Sequence, residues 1–532
     1  MIDIAKLARP ATSMTRCLAL LFTGALMTGC AMVGPDYEAP DSEINQEWAE
    51  ATGEGVTTNT DNYEQWWQNF NDPVLNDLIE RAHSQNIGLQ IAGLRVYEAR
   101  ALLGFAAGTL YPQSQGINAS ASKTRVSRNA DPVSTLPDGL FDRSFERYGT
   151  SFDAAWELDF WGRFRRGVES ADANFASSIA TYDDFLVTVS GDVATAYILL
   201  RTLEERLAYA ESNLAIQSRS LEIAQVRFKN GLVTELDVQL AKALLANTQS
   251  IIPELNKGIR QTRLALSLLL GMPPSDMQAI VGGRGVIPTT PNTIALGAPA
   301  DLLRRRPDIR RAELIAAAQS ARIGMAEAAK YPSFRLIGGV GYASEYGSDL
   351  TDTGSDMNFG AFTFNWNFLN YGRLRNNVRV EDARFQQAAA AYQNTVLNAA
   401  REVESNLTAY LRSRERVVAL TDSVTASRRA VELAQTQYRD GVISYTLVLD
   451  AQQFLLLNED QLTAARGQVA RGLVATYKAL GGGWQTHGGD SFVAEEIKDE
   501  MRERTNWGDL MEAESVKPVA AEDRGSWRAP DL

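Results

Sequence analysis

Cysteine and histidine are almost missing from this chain: among 532 residues there are two of each, Cys17, Cys30, His83 and His487. A structural zinc site needs about four clustered ligands, so none can be assembled. The same scarcity leaves no Ser/His/Asp or Cys/His constellation, and an enzyme is the weakest functional class. His83 follows a helical stretch and His487 lies in a glycine-rich tail, so both read as structural or surface residues. No cofactor or metal is expected. A basic block is also lacking. The formal charge of −13 is spread along the chain, which argues against nucleic acid as a partner. Long apolar runs are missing after the first thirty positions, which excludes a polytopic helical membrane protein. A β-barrel is not excluded, because alternating strands leave almost no hydropathy signal.

What is present begins with an address. Lys6, Arg9 and Arg16 precede an apolar run from Cys17 to Met27, followed by Thr28-Gly29-Cys30. Basic residues, a short apolar core and small residues before a cleavage point form a secretory signal. The placement of Cys30 resembles the bacterial lipoprotein signal, in which the cysteine becomes the acylated first residue. Ala31, rather than aspartate, follows it, which points to the outer membrane. Loss of the signal leaves one cysteine, so no intrachain disulfide can stabilise the mature chain.

The rest of the chain is a duplication. A shift of 210 positions aligns Trp156 with Trp366, Gly162-Arg163 with Gly372-Arg373, Gly231 with Gly441 and Gly271 with Gly481. A shift of 220 aligns Gly104 and Tyr111-Pro112 with Gly324 and Tyr331-Pro332, so ten extra residues fall in a polar loop around Asp131 to Asp142. In the first unit, apolar or small residues recur in four–three alternation from Phe175 through Leu186, Leu200, Leu214 and Leu221 to Phe228, broken only at Gln217. The second unit repeats the pattern less cleanly, from Phe385 through Tyr392, Val403 and Val431 to Tyr438. Such a repeat imposes coiled-coil packing, and each uninterrupted helix would reach roughly 100 Å at 1.5 Å per residue. After Gly231 and Gly441 the chain is expected to return as shorter helices, the first kinked at Pro253.

Before each long helix the period changes to two. Tyr148, Phe152, Trp156 and Phe160 fall on one face, with Ser151, Asp153, Glu157 and Asp159 on the other. Phe362, Phe364, Trp366 and Phe368 repeat this, and partner strands are expected after Pro112 and Pro332. Strands greasy on one face and wet on the other have the signature of outer-membrane barrels. Four strands cannot close a barrel, and open edges are not tolerated in lipid. Several chains must therefore share one barrel. Two would give eight strands and a filled interior; three would give twelve and leave a lumen. A soluble sandwich or a purely structural periplasmic coiled coil leaves the greasy strand faces unexplained.

Three strings in this frame, Val33-Gly34-Pro35-Asp36-Tyr37, Asp301-Leu302-Leu303-Arg304-Arg305-Arg306-Pro307-Asp308-Ile309 and Tyr438-Arg439-Asp440-Gly441 through Leu449-Asp450-Ala451-Gln452, resemble those of the outer-membrane factors of tripartite efflux pumps. The similarity is to TolC-like proteins and especially to OprM-like lipoproteins, and runs from Cys30 to about Trp484. It implies a homotrimer with an all-α periplasmic helical barrel continued by a twelve-stranded transmembrane β-barrel, each chain giving two β-β-α-α units. It also implies a periplasmic adaptor (membrane fusion protein) and a proton-driven inner-membrane efflux transporter as partners. The chain would be a lipid-anchored outer-membrane exit duct for small toxic compounds, or alternatively the duct of a type I protein secretion system. The site residues the resemblance implies are Cys30 for N-acyl and S-diacylglycerol lipid and Asp450, Thr446 and Asp237 for the gate. Asn230, Gly231, Asp440 and Gly441, at the hairpin turns, are expected to dock the adaptor. Leu447 and Ile443 stand where TolC carries a second aspartate and an arginine. The expected divisions are a signal at 1–29, an N-terminal segment at 30–75, repeats at 76–271 and 301–481 joined by a linker, and an acidic tail at 482–532. That tail is expected to be largely disordered, with a short helix over Glu495 to Arg504 as the alternative.

Overall fold

The computed structural model describes residues 32–517, apart from 42–43, 54, 58–62, 130–136, 138–141, 292 and 487–490. Cys30, His487, most of the polar loop around Asp131 to Asp142 and the end of the tail lie outside the described residues.

Two short helices open the ordered chain, α1 (Pro73–Gln85) and α2 (Ile87–Gly108). Asp72 starts α1 by accepting the amide hydrogens of Val74 and Leu75, with Pro73 preset for the first turn. Asn86 caps α2 in the same way through the amide of Leu89. Strands β2 (Ser114–Arg125) and β3 (Ser144–Leu158) follow, then α3 (Arg163–Lys229) and α4 (Glu235–Leu269). The second unit repeats that order with α5 (Pro307–Ala328), β5 (Ser333–Ser344), β6 (Asp356–Asn365), α6 (Arg373–Arg439) and α7 (Tyr445–Ala479). Two-residue strands β1 (Val56–Thr57) and β4 (Ile294–Ala295) pair in parallel and tie the N-terminal segment to the linker. Helix α3 and helix α6 each have 67 residues, and α4 and α7 each have 35. Pro253 lies inside α4, which runs on through it.

The four long strands form one antiparallel sheet in the order β2-β3-β5-β6. Strand β3 starts at Ser144, earlier than the alternation suggested, while β6 stops at Asn365 and leaves Trp366 and Phe368 beyond it. Within the chain, the outer edges of β2 and β6 pair with no described strand.

Most of the core lies where α1, α3, α6, α7 and the N-terminal aromatics meet. There Trp66 stacks on Tyr477, surrounded by Leu75, Val193, Tyr197, Val403 and Leu473. His83 belongs to this packing: its Nε2 meets the Ser190 hydroxyl at 2.7 Å and its ring stands edge-on to Trp67. The apolar stretch of α3 is 67% buried, so its hydrophobicity serves this core.

The heptad reading holds along the upper half of α3, where Phe175, Ile179, Tyr182, Leu186, Val193, Leu200 and Leu207 are buried. In the lower half it slips by one residue. Asn213 and Ser220 are buried where Leu214 and Leu221 are only partly so, while Gln217 and Ala224 keep their places in the repeat and Phe228 is exposed. Helix α7 lies against that face, pairing Asn213 with Glu459 and Ser220 with Gln452. The tail also departs from expectation. The helix over Glu495–Arg504 forms (α8), and residues 491–517 lie against the body of the chain. Phe492, Val493, Met511 and Val516 are buried against α2 and α3, which is apolar area the charge-rich composition concealed.

Candidate functional site

The sheet separates two environments. Directly paired residues share a face, and one face carries Ile117, Phe152, Leu336, Val340, Phe362 and Phe364, all exposed. The opposite face is mostly polar or small, with Met357 and Phe359 as apolar exceptions on β6; Asn118 and Ser151 donate to Asp153 at 2.6 and 2.8 Å. Glu157 stands 3.5 Å from both Arg335 and Arg163. A wall with a lipid side and a water side is what a shared barrel needs.

Aromatic side chains collect where strands become helices. Trp161 stacks on Tyr331 at 4.6 Å and donates to the carbonyl of Pro332, and Trp366 donates to that of Lys330. Trp366 and Phe368 are largely exposed, and Tyr371 is 98% exposed. Amphipathic rings at this level form the girdle of a membrane–water interface. The N-terminal segment is pinned at the same level. Val33 donates its amide to the Trp161 carbonyl, and a side chain at Gly162 would strike Met32. Arg166, 2% exposed, holds the segment by donating to the carbonyls of Val33 and Gly34 and to the Asp36 carboxylate, with Glu169 as its second acid.

Further down, the Arg-rich string is not a solvated helix start. Arg306 is buried and donates to the Ala479 carbonyl, to Asp308 and to Glu402, joining the start of α5 to α6 and the end of α7. Arg310 and Arg311 reach across to Asp183 and Asp184 of α3 at 3.3 and 3.2 Å, linking the two repeats. Burial pushes the Asp183 carboxyl up to about 7 against the pull of Arg310, and Asp184 beside it adds to the rise.

At the far end the two hairpins lie side by side. Gly231 and Gly441 take φ of 71° and 81°, a left-handed turn that side chains resist, and it closes each long helix. The following amides, Leu232 and Val442, return to the carbonyls of Arg227 and Gln437. The guanidinium of Arg227 stacks on the Tyr438 ring and donates to its carbonyl. Tyr438 donates its hydroxyl to Asp237 at 3.2 Å and meets Tyr445 edge-on at 5.2 Å. Burial first, then the Asp237 carboxylate, pushes the Tyr438 hydroxyl up to about 12, so it remains a donor. All four long helices are thus tied together at the tip.

The model of the family described as "Outer membrane efflux protein" matches residues 78–272 and 298–482, well over half of the chain. The chain belongs to that family. Among curated relatives, the pyoverdine export outer membrane protein OpmQ of Pseudomonas putida is 32% identical over 430 residues, covering 79% of this chain and 88% of that protein. The toluene efflux pump outer membrane protein TtgI of Pseudomonas putida is 30% identical over 476 residues, covering 87% and 97%. Among solved structures, the outer-membrane channel OprN superposes with a TM-score of 0.80 at 32% identity, covering 85% of this chain and 99% of that one. The open state of the Neisseria gonorrhoeae MtrE outer membrane channel gives 0.74 at 25% identity, covering 85% and 99%. This protein is therefore an efflux channel of the outer membrane, built on the fold of those channels and extending into the periplasm; the members of its family are channels rather than enzymes.

In this efflux protein Thr446 and Asp450 stand one turn apart near the start of α7, both exposed. Asp237 is drawn instead into the hydrogen bond with Tyr438 on its own chain. Asn230 ends α3 with its side-chain amide donating to the Val226 carbonyl; Asn230, Gly231, Asp440 and Gly441 are all exposed at the hairpin turns. Sequence reasoning missed Arg227, Tyr445, Arg166 and the Asp183–Arg310 link. The only signal was a charge or ring close to the apolar stripe, which names no distant partner.

Proposed function

We propose that three copies close one twelve-stranded barrel and that this channel is the passive exit duct of a tripartite pump. It would export small toxic compounds that an inner-membrane transporter and a periplasmic adaptor deliver, in line with the name of the toluene pump relative. The observation that carries this reading is the four-stranded sheet with two unpaired edges and one apolar face, continuous with helices of 67 residues. Open edges facing lipid leave backbone groups unpaired, so copies must supply each other's partners. No catalytic role is assigned. Cys30 would carry lipid: the segment just after it is held by Arg166 at the aromatic girdle, the level at which acyl chains enter a leaflet.

The tips would serve as gate and dock. Threefold symmetry brings three Asp450 carboxylates and three Thr446 hydroxyls to the narrow end, and a ring of like charge selects cations. The Asp237–Tyr438–Arg227 ties would hold each chain's hairpins in the closed arrangement. Cysteines introduced at Asn230 or Asp440 should crosslink to the adaptor, and crosslinks confined to the strand loops near Asp138 would contradict the docking assignment. Planar-bilayer recording tests the gate: Asp450→Ala should raise conductance and weaken cation selectivity. Identical conductance and selectivity in the two proteins would remove Asp450 from the gate.

A further inference from the structure

The core of the helical hairpins is not continuous. One apolar cluster descends from the packing around Trp66 and Tyr477, the equator of the molecule, to Leu207, Ala210 and Leu255. A second, of Ala224, Val238, Ala241, Tyr438, Tyr445 and Val448, fills the tip. Between them the inward face of α3 presents Asn213, Gln217 and Ser220, each at most 2% exposed. Thr248 of α4 and Gln452 and Glu459 of α7 are buried at the same level, and Gln217 and Thr248 lie at matching distances from the turn at 230–234. Glu459 accepts from Asn213 and from Arg428 of α6, both at 2.6 Å. Ser220 accepts from Gln452 at 2.6 Å and from Gln435 of α6 at 3.1 Å. All four long helices therefore contribute to one cross-section rich in polar groups, in which Leu244, Val424, Val431 and Leu455 are buried beside them but join neither apolar cluster.

That cross-section is incompletely satisfied. Neither amide atom of Gln217 is hydrogen-bonded within the described residues, nor are the Thr248 hydroxyl and the Gln452 side-chain oxygen. A buried amide without partners opposes packing, and a partly satisfied polar network is weaker than an apolar core of the same shape. A heptad position held by glutamine thus interrupts the apolar contact that would make the hairpin a single cooperative unit. Stability in such a structure divides where apolar contact is thinnest.

We infer that the polar layer centred on Gln217 separates the tip from the rest of the helical barrel, so that the tip opens and closes as a unit of its own. The inference rests on the reading of the tip as the gate but specifies which length of helix moves. The boundary falls at about Asn213 to Ser220 of α3 and Gln452 to Glu459 of α7, far below the Arg306 and Asp183 links that hold the equator. Gln217→Leu continues the apolar stripe through the layer and should fuse the two units; Gln217→Met does so with a more adaptable side chain if leucine disturbs folding.

Hydrogen exchange followed by mass spectrometry on the full-length, detergent-extracted assembly tests this. In the wild type, segments 221–247 and 433–451 should exchange together, and at least tenfold faster than segments 175–210 and 462–480. Either substitution should slow the tip segments by at least tenfold and leave the upper ones unchanged. Equal rates above and below the layer in the wild type would overturn the inference. So would tip rates within twofold of wild type in folded Gln217→Leu and Gln217→Met. Conductance is a separate readout: a tip that exchanges as a unit while Asp450→Ala leaves the channel unaltered contradicts the gate reading and leaves the unit standing.

Discussion

Asp183 is a carboxyl placed where charge is costly, 4% exposed on α3 and facing Arg310 with Asp184 as its neighbour. Burial raises it to about 7, above the ordinary aspartate value near 3.9. The folded protein therefore binds a proton that the unfolded chain releases between about pH 4 and 7, and this residue's contribution to stability falls as pH rises through that window. Asp183→Asn keeps the shape and removes the titration. Thermal unfolding at pH 5 and pH 8 should show a smaller loss of midpoint on going to pH 8 in the variant than in the wild type. An equal loss in both would mean that Asp183 is ionised throughout. Arg306 is the opposite case, a buried cation with a carbonyl and two carboxylates as acceptors. Arg306→Met leaves Asp308 without its partner and should lower stability by about 3 kcal/mol, the lower end of what breaking a buried pair costs, since Glu402 remains partly solvated. A midpoint unchanged by Arg306→Met would make the string a surface feature after all.

At the scale of elements, the strands and the upper halves of the long helices were legible because burial there follows period: two on the sheet, three and a half along α3 from Phe175 to Leu207. The lower half of α3 was not, because the facing helices α6 and α7 decide which side is buried: Asn213 donates to Glu459, and Ser220 accepts from Gln452 and Gln435. The tail was misread for a related reason. Its composition is acidic, yet a few apolar residues do the packing. Phe492 meets Tyr182 and Tyr97 edge-on at 5.0 and 6.3 Å, its backbone lies where a side chain on Gly93 would stand, and Arg100 donates to the Ser515 carbonyl. Phe492→Ala should therefore cost about 3 kcal/mol, the usual range for emptying a buried aromatic position, and Gly93→Val should lift the strap as a whole. Limited proteolysis reads both: cleavage within 491–517 should become fast in each variant, and an unchanged digestion pattern would contradict the packing described. At the candidate site, the turns at Gly231 and Gly441 and the position of Asp450 were legible from the duplication and the family strings. The ties made by Arg227 and Tyr445 were not, since each joins helices far apart in sequence.

For the whole molecule, one chain is an incomplete object. Its sheet ends in two bare edges, its aromatic girdle is an arc, and its helices are long enough to cross a periplasmic distance of roughly 100 Å at 1.5 Å per residue. In the proposed reading, closure by symmetry makes these parts a duct. The N-terminal segment, locked to the strand–helix junction by Arg166, would then set acyl chains on Cys30 beside the girdle in each copy. Native mass spectrometry of the protein extracted from the outer membrane tests this account most directly. It should give one assembly of three chains, each beginning at Cys30 and each carrying the mass of a diacylglycerol and an N-acyl group; a two-chain or single-chain species, or chains that begin elsewhere without lipid, would contradict it.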